Sequence, residues 1–333
     1  MTGKGREAGK GRPTEAARES RGKAAGKGSQ RCPGMRLAGP RVELAPGDGA
    51  YPAAFRTLPQ PPKRLYLVGD AAALAEGLAV VGARNATPYG IACAHRFAQA
   101  AAERGVAIIS GGARGCDAAA HRAALEAGGR TVAFLGGGCD ELYPAENAGL
   151  FQDIVDAGGA VVSEHEWGVP PLPYMFRARN RLIASLARAT LIVEAGLPSG
   201  TFSTADEALS AGRDVLVVPG AITSPTSRGA NRLLHQGAVP IVDDDTFQDA
   251  LFSLFGLMRQ EQVPGSSQGM TRPDPLVAAL LAEPLGMDAL LDVARDLCGR
   301  EEPYTWLIEH LAEAERTGAI VRYPDARYGP ARV

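Results

Sequence analysis

The chain has 333 residues, of which 45% are hydrophobic and 6% aromatic, and its formal net charge is −2. This length and composition are typical of one large or two modest globular domains with a substantial buried core. No apolar run of about 18 residues is present and the N-terminus has no apolar signal segment, so we expect neither a membrane-spanning helix nor secretion.

The charge is unevenly distributed along the chain. Residues 1–36 contain ten Lys and Arg against three acidic residues, a net charge of +7, and the remainder carries −9. This segment repeats the sequence GKGR and has almost no large apolar side chain, so it predicts a disordered basic tail. The tail either binds nucleic acid nonspecifically or is a passive solvated segment. Any polyanion site on the remaining, acidic part must therefore be a local patch.

The cysteines indicate a reducing compartment. Their number is odd and they form no CxxC pair, which favours free thiols, a cytoplasmic protein and the absence of a structural zinc or other metal site. The five residues are Cys32, Cys93, Cys116, Cys139 and Cys298.

From residue 79 onward, short apolar runs alternate with segments of helical periodicity for about 170 residues. This alternation predicts an α/β fold with a doubly wound, mainly parallel, Rossmann-like sheet. The predicted strands are 65–68, an edge strand, then 79–81, 106–109, 131–135, 160–163, 190–193, 214–218 and 239–242. The predicted helices are 88–104, 116–127, 147–157, 174–187, 201–212, 228–236 and 246–258.

The C-terminal part differs in composition. Residues 259–275 are rich in polar residues, Pro and Gly and predict a linker between a core domain, 42–258, and a small module, 276–333. Three predicted helices, 276–282, 287–297 and 304–317, and two strand-like runs, 319–323 and 326–328, indicate a winged-helix-like module. The polar face of its third helix carries Glu309, Glu313 and Glu315, which suits a protein partner better than a DNA groove.

Glycine turns follow the first two parallel strands of the core. Gly82 precedes Arg84 after one strand, and Ser110 and Gly111 precede Arg114 after the next. The C-terminal ends of parallel strands share one edge of the sheet, where ligands bind. Bare backbone N–H groups at helix N-termini beside guanidinium groups would form an anion site there. The alternative is that the glycines only turn the chain and the arginines are solvated.

A third strand-end loop combines one aromatic residue with several cations. Phe176 is followed by Arg177, Arg179, Asn180 and Arg181 at the start of a predicted helix. An aromatic platform with neighbouring cations is what unstacked bases on a phosphate chain require. The alternative is a core phenylalanine beside a solvated basic turn.

One more loop could bind phosphate, through the small side chains and open N–H groups of Ser199, Gly200 and Thr201. The dinucleotide fingerprint GxGxxG is absent after the first parallel strand, and no GxxxxGK[ST] occurs. The histidines are scattered over different elements. The sequence therefore predicts no cofactor, and it shows no hydrolytic constellation of residues.

Five longer motifs carry a resemblance to a known family. They occur in the family's order between residues 42 and 247: VVGARNATPYG, SGGARGCDAAAHRAALEAGGRTVAFLGGGCDELYPAEN, FRARNRLIASLARATLIVEA, SGTFSTADEALSAGRDVLVVPG and SRGANRLLHQGA. Over this range the chain resembles the DNA-processing protein A (DprA/Smf) family. The resemblance implies a non-enzymatic homodimer that binds single-stranded DNA and protects incoming DNA. It also implies that the protein helps to load the RecA recombinase during natural transformation and recombination.

The resemblance assigns roles to individual residues. It implies that Arg84 binds phosphate, that Phe176 stacks on a base and that residues 179–181 form the family's RNR triplet. Two positions depart from the family pattern. Pro173 stands where a Lys is common, and Arg177 stands where Pro follows the aromatic residue.

Two other functions remain as alternatives. Phosphoribohydrolases that resemble lysine decarboxylases share such a sheet and use the motif PGGxGTxxE, but here Glu207 comes one residue too late for that pattern. Glu164 and Glu194 are the other acids at strand ends, and either could instead bond neighbouring arginines. The second alternative is a nucleotide-sensing module. We expect a DNA-binding protein without catalytic turnover.

Overall fold

The computed structural model describes residues 36–197, 200–257, 275–282, 284–298, 302–317, 319–323 and 325–330. Three of the sequence predictions fall outside these ranges: the basic tail before residue 36, the linker after residue 257, and the phosphate contact of Ser199. None of the helices in the described part of the chain is long and apolar enough to cross a membrane.

A nine-stranded sheet forms the centre of the core, in the order β1-β2-β6-β5-β4-β3-β7-β8-β9. All neighbours from β6 to β9 in this order are parallel, whereas the pairs β1–β2 and β2–β6 are antiparallel. This topology confirms the predicted doubly wound, mainly parallel sheet. The strands are β1 Arg41–Leu44, β2 Leu65–Gly69, β3 Gly77–Val81, β4 Ala107–Ser110, β5 Thr131–Phe134, β6 Ala160–Ser163, β7 Ala187–Ile192, β8 Asp214–Val217 and β9 Val239–Pro240.

Helices cover both faces of the sheet, because successive side chains of each buried strand point to opposite sides. Leu78 and Val80 of β3 pack in one cluster with α2, α3 and α8, whereas Ala79 and Val81 pack in another with α1, α5, α6 and α7. The helices are α1 Ala53–Arg56, α2 Pro88–Ala102, α3 Cys116–Glu126, α4 Ala148–Asp156, α5 Pro173–Leu186, α6 Thr201–Ser210, α7 Arg228–His235 and α8 Asp244–Phe255.

The predicted edge strand, 65–68, is the second strand from the edge. β1 lies outside it and pairs antiparallel with it, so the prediction of an edge position was wrong. The sequence of β1, RVEL, is too short and too polar to stand out as a strand, and contacts with distant residues hold it in place. The Arg41 guanidinium lies 3.9 Å from the ring centroid of Trp167 and donates to Asp140 at 2.9 Å.

The first parallel unit shows why the chain folds as the pattern predicted. Thr87 caps α2 by accepting a hydrogen bond from the Gly90 N–H at 3.1 Å, and Pro88 fits the first turn because no intrahelical bond needs its missing N–H. Gly105, at φ 77°, turns the chain from the end of α2 toward β4.

The C-terminal segment forms three helices and a two-stranded antiparallel hairpin, as the sequence predicted. Leucines from all three helices, among them Leu280, Leu290 and Leu307, share a small core with Ile320 of the hairpin. The domain boundaries themselves stay a prediction. The elements are α9 Pro275–Ala282, α10 Met287–Leu297, α11 Pro303–Arg316, β10 Ile320–Arg322 and β11 Tyr328–Pro330.

Candidate nucleic-acid interface

The predicted site residues gather at the edge of the sheet where the parallel strands end. The connection from β3 leads to β4 on one side, and the later connection from β6 leads to β7 on the other side of β3. Such a reversal of winding direction separates the loops above the sheet and opens a crevice for a ligand. Among the described residues, the predicted site residues come from the ends of β3 and β4 and the loops after them, from the first turns of α5, and from the start of α6.

Arg84 and Phe176 form the centre of this edge. The guanidinium carbon of the exposed Arg84 lies 5.4 Å from the centroid of the half-buried Phe176 ring, which is within the range of a cation–π interaction. The ring of Tyr143 lies 5.3 Å from the Phe176 ring at an angle of 55°. A Cβ at Gly136 would come within 2.8 Å of the Phe176 ring, so the aromatic side chain rests directly on the main chain.

A shallow depression lies beside this pair, with an enclosed volume of about 20 Å³. That volume holds about one water molecule, which is too little for a buried nucleotide. The edge therefore fits a ligand that lies across it better than one that enters it. The depression is lined by Arg84, Gly111, Ala113, Arg114, Tyr143, Pro144, Phe176 and Arg179.

The loop after β4 has fewer free N–H groups than the sequence predicted. The carboxylate of Asp117 accepts hydrogen bonds from the N–H groups of Gly111 at 3.1 Å and Ala113 at 3.3 Å. The Gly111 carbonyl in turn accepts a bond from Arg179 at 2.8 Å. The Gly111 N–H is thus occupied within the protein, which corrects the expectation that it is available to an anion.

Arg179 and Ser110 also differ from the expected direct contacts with DNA. Arg179 is only 5% exposed and donates to the carbonyls of Gly111 and Phe134, and the Ser110 hydroxyl is fully buried and donates to the Val80 carbonyl at 2.6 Å. These side chains hold the main chain of the loop from below, and no surface remains on Ser110 for a ligand.

Burial shifts the pKa values of Arg179 and of the oppositely charged Asp117. Burial lowers the pKa of Arg179 to about 10, although the negative charge of Asp117 opposes the shift. Burial raises the pKa of Asp117, and the positive charge of Arg179 opposes that shift in the same way. Arg179 keeps its charge at neutral pH because 10 is well above 7.

The helical spacing of the sequence already indicates that Arg179 is buried. Met175, Arg179, Leu182 and Leu186 are all buried, and their spacing of four, three and four places them on one face of α5. Arg179 therefore occupies a core position of an amphipathic helix. Arg177 lies off that face and is exposed, so it can reach a ligand.

The rest of the predicted RNR triplet is engaged within the protein. The Asn180 amide donates to the Ser203 hydroxyl at 2.7 Å, and Arg181 forms an ion pair with Glu164. The pairing of Glu164 with an arginine is one of the two roles foreseen for that acid. Both members of the ion pair are mostly buried, with side chains 16% and 14% exposed.

The remaining site residues surround the crevice. A Cβ at Gly82 would lie 2.6 Å from the Cys116 sulfur, so the β3 loop packs directly on the start of α3. The buried Thr201 hydroxyl donates to the Gly82 carbonyl at 3.3 Å, and Gly200 beside it is exposed. Arg114 is exposed and pairs with Glu146 at 3.1 Å.

Two residues of the edge were not singled out from the sequence in the role they have. Tyr143 contacts Phe176, and only its position in a strand-end loop could have indicated this. Glu194 is 2% exposed and accepts a hydrogen bond from the Thr87 N–H at 2.8 Å, at the N-terminus of α2. It stabilises the helix start, where a negative charge is favourable, and it forms no ion pair with an arginine in the part of the chain that the structure describes.

Comparison with known proteins agrees with this geometry. The model of the family described as DNA recombination-mediator protein A matches residues 43–251. The chain belongs to the DNA-processing protein A (DprA/Smf) family. This confirms the resemblance that the five motifs carry. The protein Smf of Escherichia coli is 36% identical over 293 residues, which cover 86% of this chain and 76% of that protein.

Solved structures of the family share the fold. DNA processing protein A from Streptococcus pneumoniae is 33% identical, with a TM-score of 0.59 over 66% of this chain and 75% of that one. The protein from Helicobacter pylori is 32% identical, with a TM-score of 0.59 over 66% of this chain and 99% of that one. The Helicobacter pylori DNA processing protein A binds single-stranded DNA.

Proposed function

We propose that this protein binds single-stranded DNA across the C-terminal edge of its sheet. One observation carries the proposal: a positive charge, on Arg84, lies over the face of a partly exposed aromatic ring, on Phe176. A base can stack on such a ring while its phosphate approaches the guanidinium group. Arg177 and Arg114 are also exposed, and Arg114 lines the same depression as Arg84 and Phe176 while it pairs with Glu146.

The same geometry favours a single strand over a duplex. In a duplex the bases are paired and stacked inside the helix, so they cannot reach an aromatic side chain at a sheet edge. In a single strand the bases can turn outward, and stacking adds about 1–3 kcal/mol per base to the phosphate contacts. We therefore expect a strong preference for the single strand.

The test is a binding titration with oligonucleotides of equal sequence, single-stranded and double-stranded, at several salt concentrations. The logarithm of the affinity for the single strand should fall linearly with the logarithm of the salt concentration, by about 0.7 for each phosphate contact. Equal affinity for both forms, or affinity that does not depend on salt, would contradict the proposal.

The finer role follows from membership of the family and is also a proposal. We expect a homodimer that protects incoming single-stranded DNA and helps to load the RecA recombinase in natural transformation. Sedimentation equilibrium measures the dimer, and survival of a bound strand under nuclease digestion measures protection. Loading is measured as a shorter lag in the DNA-dependent ATP hydrolysis of RecA, and an unchanged lag would count against it.

We also propose that the protein has no phosphoribohydrolase activity. Of the acids at the strand ends, Glu194 is bonded to the Thr87 N–H and Glu164 to Arg181, so neither is available to a ribose. The assay is incubation with nucleoside monophosphates and chromatography of free base and ribose 5-phosphate. Turnover that disappears in Glu207→Gln would establish the enzyme instead, and a small nucleotide that co-purifies would favour a nucleotide sensor.

A further inference from the structure

The peptide units of Gly111 lie between two buried side chains of opposite charge. On one side the Asp117 carboxylate accepts the Gly111 N–H at 3.1 Å. On the other side an Arg179 nitrogen donates to the Gly111 carbonyl at 2.8 Å. A Cβ at Gly111 would lie 2.5 Å from the guanidinium group, so the main chain passes directly over the arginine.

Each charged group makes a second bond that ties the loop to the sheet or to itself. Asp117 also accepts the Ala113 N–H at 3.3 Å, and Arg179 also donates to the carbonyl of Phe134, the last residue of β5. In the loop that carries Arg114, the Asp117 carboxylate thus holds the N–H groups of Gly111 and Ala113, and the Arg179 guanidinium holds the Gly111 carbonyl.

Moving Arg179 out to a phosphate would be costly. Asp117 would stay behind as a buried charge without its cation, and the carbonyls of Gly111 and Phe134 would lose a donor. Breaking a buried charge pair by removing one partner is strongly destabilising for this reason. Arg84, by contrast, is exposed and can reach a ligand without uncovering a buried charge.

We propose that Arg179 and Asp117 are positioning residues, which hold the loop at 111–114 in its DNA-binding shape without touching the DNA. This inference rests on the proposed binding of single-stranded DNA, and it replaces the direct DNA contact that the sequence pattern predicts for Arg179 with a positioning role. Its consequence is that Arg179 contributes to affinity and nothing to the number of phosphates neutralised.

The salt dependence of binding distinguishes the two roles, because its slope counts phosphate contacts. The experiment compares oligothymidylate binding by Arg179→Lys, by the double variant Arg179→Met with Asp117→Asn, and by Arg84→Ala. The double variant removes both buried charges together, so it avoids an unpaired one. We expect the two Arg179 variants to bind several-fold more weakly with the parental slope, whereas Arg84→Ala loses about 0.7 from the slope.

Two outcomes would overturn the inference. A slope that becomes shallower in the double variant, as in Arg84→Ala, would show that Arg179 neutralises a phosphate. Parental affinity in folded Arg179 variants would show that the loop does not depend on it.

A measurement on the unaltered full-length protein covers the case in which these variants do not fold. The Arg179 Nη–H signals in nitrogen-15 NMR spectra, from the group that donates to the carbonyls of Gly111 and Phe134, should stay protected from solvent exchange both without DNA and with saturating oligothymidylate. Loss of protection on DNA binding would mean that the guanidinium leaves the carbonyls, and the proposal would fail.

The inference and the proposed function can fail separately. If the parental protein does not bind oligothymidylate at all, the proposed function is wrong. The positioning role is then still tested without DNA, since Asp117→Asn should speed amide exchange at Gly111 and Ala113. Unchanged exchange at both amides would refute it.

Discussion

The Arg84 guanidinium carbon lies over the Phe176 ring, 5.4 Å from its centroid, although the two residues are 92 positions apart in the sequence. Arg84 lies in the loop after β3, and Phe176 lies in the first turns of α5. Because one side chain acts through charge and the other through stacking, their contributions to DNA binding can be measured apart.

Replacing Arg84 with Ala should reduce the affinity for single-stranded DNA and make its salt dependence shallower by about 0.7, because one phosphate contact is lost. Fluorescence anisotropy of a labelled oligonucleotide over a series of salt concentrations measures both. Arg130→Ala is the matched control, since Arg130 is also exposed but precedes β5 and so lies at the opposite edge of the sheet. An equal effect of both substitutions would point to general electrostatics.

Replacing Phe176 with Ala should cost about 1–3 kcal/mol of binding free energy per stacked base and leave the salt slope nearly unchanged. Phe176→Trp should retain most of the affinity because the platform remains. The same titration measures these effects. Phe252→Ala, at a 51% exposed phenylalanine of α8, controls for the loss of an aromatic surface. A shallower slope in Phe176→Ala would mean that the ring mainly positions Arg84.

Gly111→Ala should lower the free energy of unfolding by about 1–3 kcal/mol, because the new methyl group would lie 2.5 Å from the buried Arg179 guanidinium. Gly149→Ala in the exposed part of α4 is the control, since nothing lies within 4 Å of its Cβ position. That change should stabilise the protein by about 0.5–1 kcal/mol. Urea denaturation measures both, and a neutral Gly111→Ala would show that the loop can move off Arg179.

His121 should make the protein less stable in acid. Burial and the charges of Arg179 and Arg122 lower the pKa of its imidazole from 6.5 to about 3. The unfolded chain therefore takes up a proton that the folded protein does not. Its contribution to stability is complete above pH 6.5 and is lost as the pH falls toward 3, by at most about 1.4 kcal/mol per pH unit.

His121→Asn removes the titrating imidazole, so the unfolded variant takes up no proton at this position. The Asn amide stays near Thr131, whose hydroxyl lies 2.6 Å from the His121 Nδ1. Urea denaturation between pH 4 and pH 7, about the range of the shift, should show a flatter dependence in the variant than in the parent. Asp117, whose raised pKa acts in the opposite direction, is present in both proteins and cancels in the comparison. Identical dependence in the two proteins would contradict the burial of a neutral imidazole.

The sequence predicted those helices and strands that are determined by residues close together in the chain. The parallel strands and their helices follow from apolar runs, helical spacing and caps such as Thr87, which act within a few residues. β1 was not predicted, because its four residues form a strand only through β2, Trp167 and Asp140. Its pairing is a property of the folded chain.

The sequence predicted that the strand-end loops meet at one edge of the sheet, and it predicted less well which of their side chains are exposed. Strand-end loops gather at one edge in any parallel sheet, so the meeting of Arg84 and Phe176 follows from topology. Composition alone could not tell a surface arginine from a buried one. The helical spacing of Arg179 with Met175 contained that information, but the adjacent cations favoured the wrong interpretation of its surroundings.

Gly136, on which the Phe176 ring rests, is the first of three consecutive glycines that limit how this protein can change over evolution. A Cβ at Gly137 would lie 2.7 Å from the Pro171 nitrogen, and one at Gly138 would meet the carbonyls of Glu166 and Trp167. The segment before α5 therefore rests on bare backbone along its length. A saturation mutagenesis screen should recover only glycine at these positions. Substitutions in the segment before α5 should be accepted only where they leave its main chain in contact with the backbone of these glycines.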